Sequence, residues 1–339
     1  MITPSAVTTA ADLGLNLNGI MWCDATINPG LYGCSKVSPA CTNCYAEEMS
    51  ARIVRMGGDE PGATGAAVRY AQGVNDAGRW TGRVTVDPRQ IAPAFAKLPR
   101  KPNRIRRVFV TSMSDLFHED VPFEYLAVVF GAMAARPWIT FQVLTKRPER
   151  AAEFYAWLGR DGRDEWEAII NAADAYDGDG NEPPLLAPVL YVGQWPIPNV
   201  WSGTTVEDQQ RADERIPHLL RVPAAVRFLS VEPMLGPIDV AEYLDLTADE
   251  DRAVFARAEW QPVTADDQRE MFPKIAQVII GSESDGNRPG ARETREAWVL
   301  DLVDQCDAAR VAVFVKQIAI NGRLCSLPMV RGRVRAEFP

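Results

Sequence analysis

The sequence is short of histidine, with only His118 and His218 in 339 residues. That scarcity disfavours zinc chemistry built on imidazoles and Ser-His-Asp nucleophilic catalysis. Cysteine is also sparse, at six residues, too few for a disulfide scaffold in a chain of this length. No apolar run approaches the roughly 20 residues that span a bilayer. The opening stretch, MITPSAVTTAADLGLNLNG, has no basic start and no continuous apolar segment. A secretory signal needs both, so the expectation is a cytoplasmic protein without membrane association. Positive charge is not in excess, since the formal net charge is −9. Coating of nucleic acid through bulk charge is therefore disfavoured, although local basic patches remain open to that role. Neither an internal repeat of roughly 20 to 50 residues nor a long low-complexity tract is present.

A length of 339 residues with 47% hydrophobic and 24% charged content suits one α/β barrel of roughly 250 residues with insertions, or two ordinary domains. Short β-branched apolar runs recur, each ending in polar residues: Arg107–Thr111, Ile139–Leu144, Val200–Gly203, Val226–Val231, Gln277–Gly281 and Val311–Val315. Helical periodicity fills the gaps at Phe123–Arg136, Ala212–Leu220 and Thr294–Ala309. Continuous apolar strands alternating with helices indicate a parallel sheet covered on both faces. With a further short strand near Ile20–Asp24, the pattern predicts a full or partial (β/α) barrel as a single domain over residues 1–339. Two acidic stretches, Gly159–Pro188 and Ala241–Pro273, read as insertions, and glycine-rich Gly57–Gly82 reads as a loop or lid. Two basic segments stand out against the net acidity. One is Arg100–Arg107, RKPNRIRR; the other is the tail with Arg323, Arg331, Arg333 and Arg335. Each reads as a solvated edge or a local basic patch, and Arg100–Arg107 is the place for phosphates to dock.

The cysteines are unevenly placed. Cys34, Cys41 and Cys44 follow a CX6CX2C spacing within NPGLYGCSKVSPACTNCYAEE, and Cys23 lies a short way upstream. Three thiolates on one loop can hold three corners of a four-iron four-sulfur cluster and leave the fourth iron open. Small and turn-forming residues between them let the loop curl, and the following YAEEMSARIVR is a good helix whose N-terminus favours an anionic group. The alternative is a structural zinc site with Cys23 as fourth ligand, in a nucleic-acid-binding protein without redox activity. A further alternative is a cluster-free barrel hydrolase or lyase using Glu232, Lys146 and Lys316. Cys306 and Cys325 read as core or incidental residues.

Long ordered blocks accompany the cysteines: GCSKVSPACTNCYAE, VFVTSMSDLFHEDVP, TFQVLTKRPER, VWSGTTVEDQQRADERIPHLL, VRFLSVEPMLGPI, VIIGSES and VFVKQ. With these blocks the chain resembles the phage-encoded three-Cys-motif proteins classed as radical-SAM-like. The resemblance implies a barrel of radical-SAM type, a 4Fe-4S cluster on Cys34, Cys41 and Cys44, and S-adenosyl-L-methionine chelated at the open iron. It also implies an external electron donor and a host-cytoplasmic location. A partner protein of the three-Cys-motif type and a nucleic-acid or nucleotide substrate follow by the same analogy.

The cysteine spacing is three residues longer than the common CX3CX2C, and the aromatic of the common motif is displaced to Tyr45, which either contacts adenine or packs. Around the cofactor the resemblance places Ser112, Ser114 and Asp115 after one strand. Asp115 is either an acceptor for an ammonium or a helix cap. Thr145, Lys146 and Arg147 follow the next strand, where a cation either pairs the cofactor carboxylate or a substrate phosphate or forms a surface salt bridge. Glu232 ends the VRFLSV strand, Gly281, Ser282 and Glu283 resemble a late strand passing adenine, and Lys316 and Gln317 end the last strand. Lys146, Glu232 and Lys316 are the expected catalytic groups. His118 reads as a helix-surface or satisfied core histidine, or as a proton donor.

Overall fold

The computed structural model describes residues 1–4, 20–57, 65–176, 194–244, 274–283, 291–320 and 323–339. The chain forms two compact units, one of residues 25–200 and one of residues 1–24 with 201–339. Both are α/β and mainly parallel. No helix among the described residues is long and apolar enough to cross a membrane.

In the first unit, strands β1 (Ala25–Ile27), β2 (Arg107–Val110) and β3 (Thr140–Thr145) lie side by side in parallel. Val108, Val110, Phe141 and Val143 are sealed from solvent, as strands with both faces covered require. Helix α1 (Tyr45–Met56) follows the cysteine loop. Helix α2 (Phe123–Ala134) makes the crossover from β2 to β3. It is apolar on nearly every face because Tyr125 through Ala134 are all buried. Helix α3 (Pro148–Leu158) starts with proline at its first turn, where a missing N–H costs nothing. Asn199 pins the end of α2 to the start of β3, its amide donating to the carbonyls of Met133, Arg136 and Ile139 at 3.0, 3.1 and 2.9 Å. The first acidic stretch opens on a 3-10 turn, Arg160–Gly162, and continues as helix α4 (Glu165–Tyr176), which packs on α2 through a face with buried Trp166, Ile169 and Ala173. Residues 177–188 of that stretch lie outside the described residues.

In the second unit, β4 (Val200–Thr205), β5 (Val226–Val231), β6 (Ile275–Gly281) and β7 (Ala312–Ile320) are parallel in that order, and β8 (Arg323–Ser326) returns antiparallel to β7. Helix α5 (Gln209–Leu220) joins β4 to β5, capped by the Asp208 carboxylate accepting from the Arg211 N–H at 3.0 Å. Helix α6 (Glu296–Ala308) joins β6 to β7. Gly203 in β4 is a close-approach position, because a Cβ there would sit 2.6 Å from the Phe228 ring.

Three expectations need correction. The apolar residues Met21, Trp22 and Cys23 lie in a buried turn closed by the Cys23 N–H on the Ile20 carbonyl at 3.2 Å, and the strand begins after them at Ala25. The Gly57–Gly82 segment carries a short helix, Ala66–Ala71, and a bridge between Val74 and Trp80; residues 58–64 lie outside the described residues. The basic tail is not simply a solvated edge. Arg335 is 1% exposed and ion-paired with Asp307 and Glu337, while Arg331 pairs with Asp304. The second acidic stretch contains a short helix at Ala241–Leu244, and its residues 245–273 lie outside the described residues.

Candidate functional site

The cysteine loop is built between a two-residue strand and α1. Leu31–Tyr32 pairs antiparallel with Thr85–Val86, and the chain then turns at Gly33. Its φ of +90° and a would-be Cβ 2.2 Å from the Arg83 carbonyl leave room for glycine alone. Cys34 follows. A single 3-10 turn, Pro39–Cys41, carries the second cysteine, and Cys44 is the N-cap residue of α1. All three thiols are half-buried, and Cys41 Sγ faces Ser38 Oγ at 4.0 Å. Among the described residues no three His, Cys, Asp or Glu side chains converge as metal ligands. The donor chemistry nonetheless fits an iron–sulfur group, since three soft thiols sit on one loop at the positive end of a 12-residue helix. Burial, then the Asp115 carboxylate, pushes the Cys34 thiol up to about 12, with Arg147 opposing. Cys34 is therefore protonated by itself, and only a strongly bound cation would hold it as thiolate.

The loop is tied to the C-terminal ends of β2 and β3. Tyr45 donates its hydroxyl to the Ser112 carbonyl, and Ser114 donates its own to the Gly33 carbonyl. Asn28 clamps the segment after β2, giving its amide to Ser112 Oγ at 3.2 Å and accepting from the Met113 N–H at 2.9 Å. Asp115 is the hub. Its carboxylate accepts from Thr145 Oγ1 at 2.7 Å and from Phe117 N–H, Lys146 N–H and Arg147 Nη1 at 3.0 Å each. A turn, not a helix, follows it. Arg147 also reaches Glu119 at 2.9 Å and Ser35 Oγ at 2.7 Å.

Ser35 Oγ lies 2.8 Å from His118 Nε2 as well. His118 is 1% exposed, and its Nδ1 accepts from the Asp120 N–H at 3.2 Å, which assigns the ring proton to Nε2. Burial, and next the Arg147 cation, holds its pKa below the usual imidazole range, so it is a neutral donor to Ser35. Ser112, Ser114, Asp115, Thr145, Arg147 and Tyr45 are thus brought together with the cysteines in one unit. Lys146 is half-buried beside them, and its ammonium forms no ion pair among the described residues.

Glu47 escaped the sequence argument because it reads as one more charge on a solvated helix. It is fully buried, accepting from Lys36 Nζ at 3.0 Å, Arg79 Nη1 at 2.9 Å and the Trp80 N–H at 2.8 Å. Glu47 therefore bolts the cysteine loop, through Lys36, to α1. The only sequence signal was its position three residues past Cys44.

The remaining expected residues sit in the second unit, as does Cys23. Glu232, just after β5, is ion-paired with Lys316 of β7, both largely buried. A Cβ on Gly281 would lie 3.2 Å from Glu232 Cγ and Cδ, so the glycine leaves the space this carboxylate occupies. Ser282 is engaged by β7, with its carbonyl accepting from Gln317 Nε2 at 3.2 Å and its hydroxyl from the Ala319 N–H at 3.3 Å. Glu283 is held by Arg292 through the N–H at 2.8 Å and Nε at 3.0 Å.

Two mainly parallel α/β units, one presenting a three-cysteine loop at its strand ends, define the class of protein. The chain matches the family model described as protein of unknown function (DUF5131) over residues 17–327 and belongs to that family. No curated protein and no solved structure matches it.

Proposed function

We propose that the chain is a radical-SAM-like iron–sulfur enzyme whose parallel strands form a full or partial barrel. Cys34, Cys41 and Cys44 would hold a four-iron four-sulfur cluster with one iron open to S-adenosylmethionine. Bound there, and given one electron from an external donor, that pair would supply 5′-deoxyadenosyl radical chemistry for hydrogen abstraction. The chain's own residues prepare the place. Asp115, saturated by four donors, holds the Lys146 N–H and the side chains of Thr145 and Arg147 instead of binding a ligand directly, and so sets where Lys146 projects. Lys146 supplies a cation for the cofactor carboxylate or a substrate phosphate. Tyr45, bonded to Ser112, offers a half-exposed ring for stacking against adenine. In the second unit, Glu232 and Lys316 form a compensated pair that can hold or move a proton between carboxylate and amine, with Gly281 keeping the space open; Ser282 and Glu283 serve as its frame. The substrate class is nucleic acid or nucleotide, and a partner of the three-Cys-motif type remains part of the proposal.

The observation that carries this reading is the set of ties, Tyr45 to Ser112, Ser114 to Gly33 and Arg147 to Ser35, that fasten a three-thiol loop to the ends of parallel strands. Anaerobic reconstitution tests it. The expected product is a brown protein with about four irons, and its reduced form converts S-adenosylmethionine to methionine and 5′-deoxyadenosine. A colourless protein holding one zinc, or an iron protein inert towards S-adenosylmethionine, overturns it.

A further inference from the structure

The segment entering β2 packs its positive charge more densely than the basic tail does. From Lys97 to Arg107 there are six cations and no acid, in a protein of net charge −9. Lys97, Arg100, Lys101 and Arg104 are exposed and, among the described residues, form no ion pair. Arg136, at the end of α2, adds another cation. Its guanidinium lies 5.0 Å from the Phe95 ring centroid and donates to the Ala132 carbonyl at 2.9 Å. Burial, and then the like charge of Arg100, lowers its pKa, so Arg100 and Arg136 are near enough to repel one another. The loop is also held in place. Trp138 Nε1 donates to the Pro99 carbonyl at 3.0 Å, and Pro99 and Pro102 stiffen the chain. Clustered like charge costs stability, and a polyanion that releases its counterions recovers that cost.

The chemistry of the surface narrows the partner. Four of the six cations are arginine, whose planar fork matches phosphate oxygens in pairs. The exposed large apolar side chains among the described residues are Met1, Val37, Tyr45, Met49, Met56 and Val68, none of them in this loop. An apolar anchor for a protein interface core or for a lipid surface is therefore missing here. We propose that the Lys97–Arg107 loop, with Arg136, docks the phosphodiester backbone of a nucleic acid.

The location adds a second consequence. The loop enters β2 at its N-terminal end, whereas the cysteine loop is fastened to Ser112 and Ser114 beyond its C-terminal end. Four strand residues separate these ends by about 13 Å. A mononucleotide held at one end cannot present itself at the other, but a strand of several nucleotides reaches both. The substrate of the proposed enzyme is accordingly a polymer. That last step rests on the function proposed above; the docking itself does not.

The test is fluorescence anisotropy of labelled single-stranded and duplex DNA of about 30 nucleotides across a salt series. It compares the full chain, the combined Lys97→Ser, Arg100→Ser, Lys101→Ser and Arg104→Ser variant, and the combined Cys34→Ser, Cys41→Ser and Cys44→Ser variant. With four phosphate contacts, duplex affinity should fall about 150-fold between about 50 and 200 mM salt, a log–log slope near −3.6. The four-serine variant should lose at least about tenfold in affinity at the low-salt end together with most of that slope. The three-cysteine variant should bind as the parent does, so failure of the iron–sulfur reading leaves this result untouched. The proposal is overturned if the parent fails to bind at low salt, if the four-serine variant binds equally well, or if polyglutamate competes as strongly as DNA.

Discussion

Replacing Glu47 by glutamine tests how the cysteine loop is held. The Glu47 side chain is 1% exposed, while its partners Lys36 and Arg79 are 39% and 60% exposed. Glutamine keeps an acceptor for the Trp80 N–H but turns an amide towards two cations. Breaking a fully buried ion pair costs about 3–5 kcal/mol, and a surface pair contributes about 0–1 kcal/mol. Here the carboxylate is buried but both cations can return to water, so Glu47→Gln should cost about 2 kcal/mol, between those limits. Urea unfolding of the metal-free protein near neutral pH, followed by tryptophan fluorescence, measures it. The pH dependence gives an independent check. Although burial, the largest influence, acts to raise it, the bonds from Trp80, Arg79 and Lys36 hold the Glu47 carboxyl below its ordinary 4.5. A depressed folded value stabilises above the unfolded value, and that stabilisation drains away as pH falls through the folded one. The gap between parent and variant should therefore be full above pH 4.5 and close below it. Equal stability at neutral pH, or a gap that persists unchanged into acid, would refute the clamp.

Asp115→Asn removes the charge from a carboxylate paired to an Arg147 that is itself 10% exposed, so the cost should reach about 3 kcal/mol; a urea midpoint matching the parent's would remove Asp115 as the hub. Gly281→Ala puts a methyl 3.2 Å from Glu232 and should cost about 1–2 kcal/mol by displacing the Glu232–Lys316 pair. Adding Glu232→Ala to it should relieve that clash, and a double variant no better than the sum of its parts would contradict this packing. Gly203→Ala drives a Cβ to 2.6 Å from the Phe228 ring. It should destabilise by about 1–3 kcal/mol, and an unchanged thermal midpoint would show that β4 and β5 pack differently.

Much of the α/β rhythm was legible from apolar runs, because strands covered on both faces leave a continuous signal. Val226–Val231 falls at the expected residues, and Arg107–Val110 and Thr140–Thr145 shift by only one. Strand β7 runs on to Ile320, past the expected end, because β8 folds back to pair with it, which is a long-range cause that local pattern does not carry. Met21–Cys23 misled for the opposite reason, since burial in a turn gives the same apolar run as a strand. At the site, residue types marked Cys34, Cys41, Cys44, Asp115, Thr145 and Arg147, and the structure shows how they are fastened. Glu47 and Arg335 were illegible because each is a charged residue buried by partners distant in sequence, Arg79 for one and Asp307 for the other. Arg335 had looked like part of a solvated tail, and no local signal distinguishes the two.

The central claim is that three thiols hold an iron–sulfur cluster with one iron left for a further ligand. Electron paramagnetic resonance of the anaerobically reconstituted, reduced protein, with and without S-adenosylmethionine, addresses it directly. A reduced four-iron signal that changes on adding S-adenosylmethionine, and that disappears in Cys34→Ser, is the predicted result. A signal indifferent to S-adenosylmethionine, or no iron signal in fully loaded protein, would contradict it.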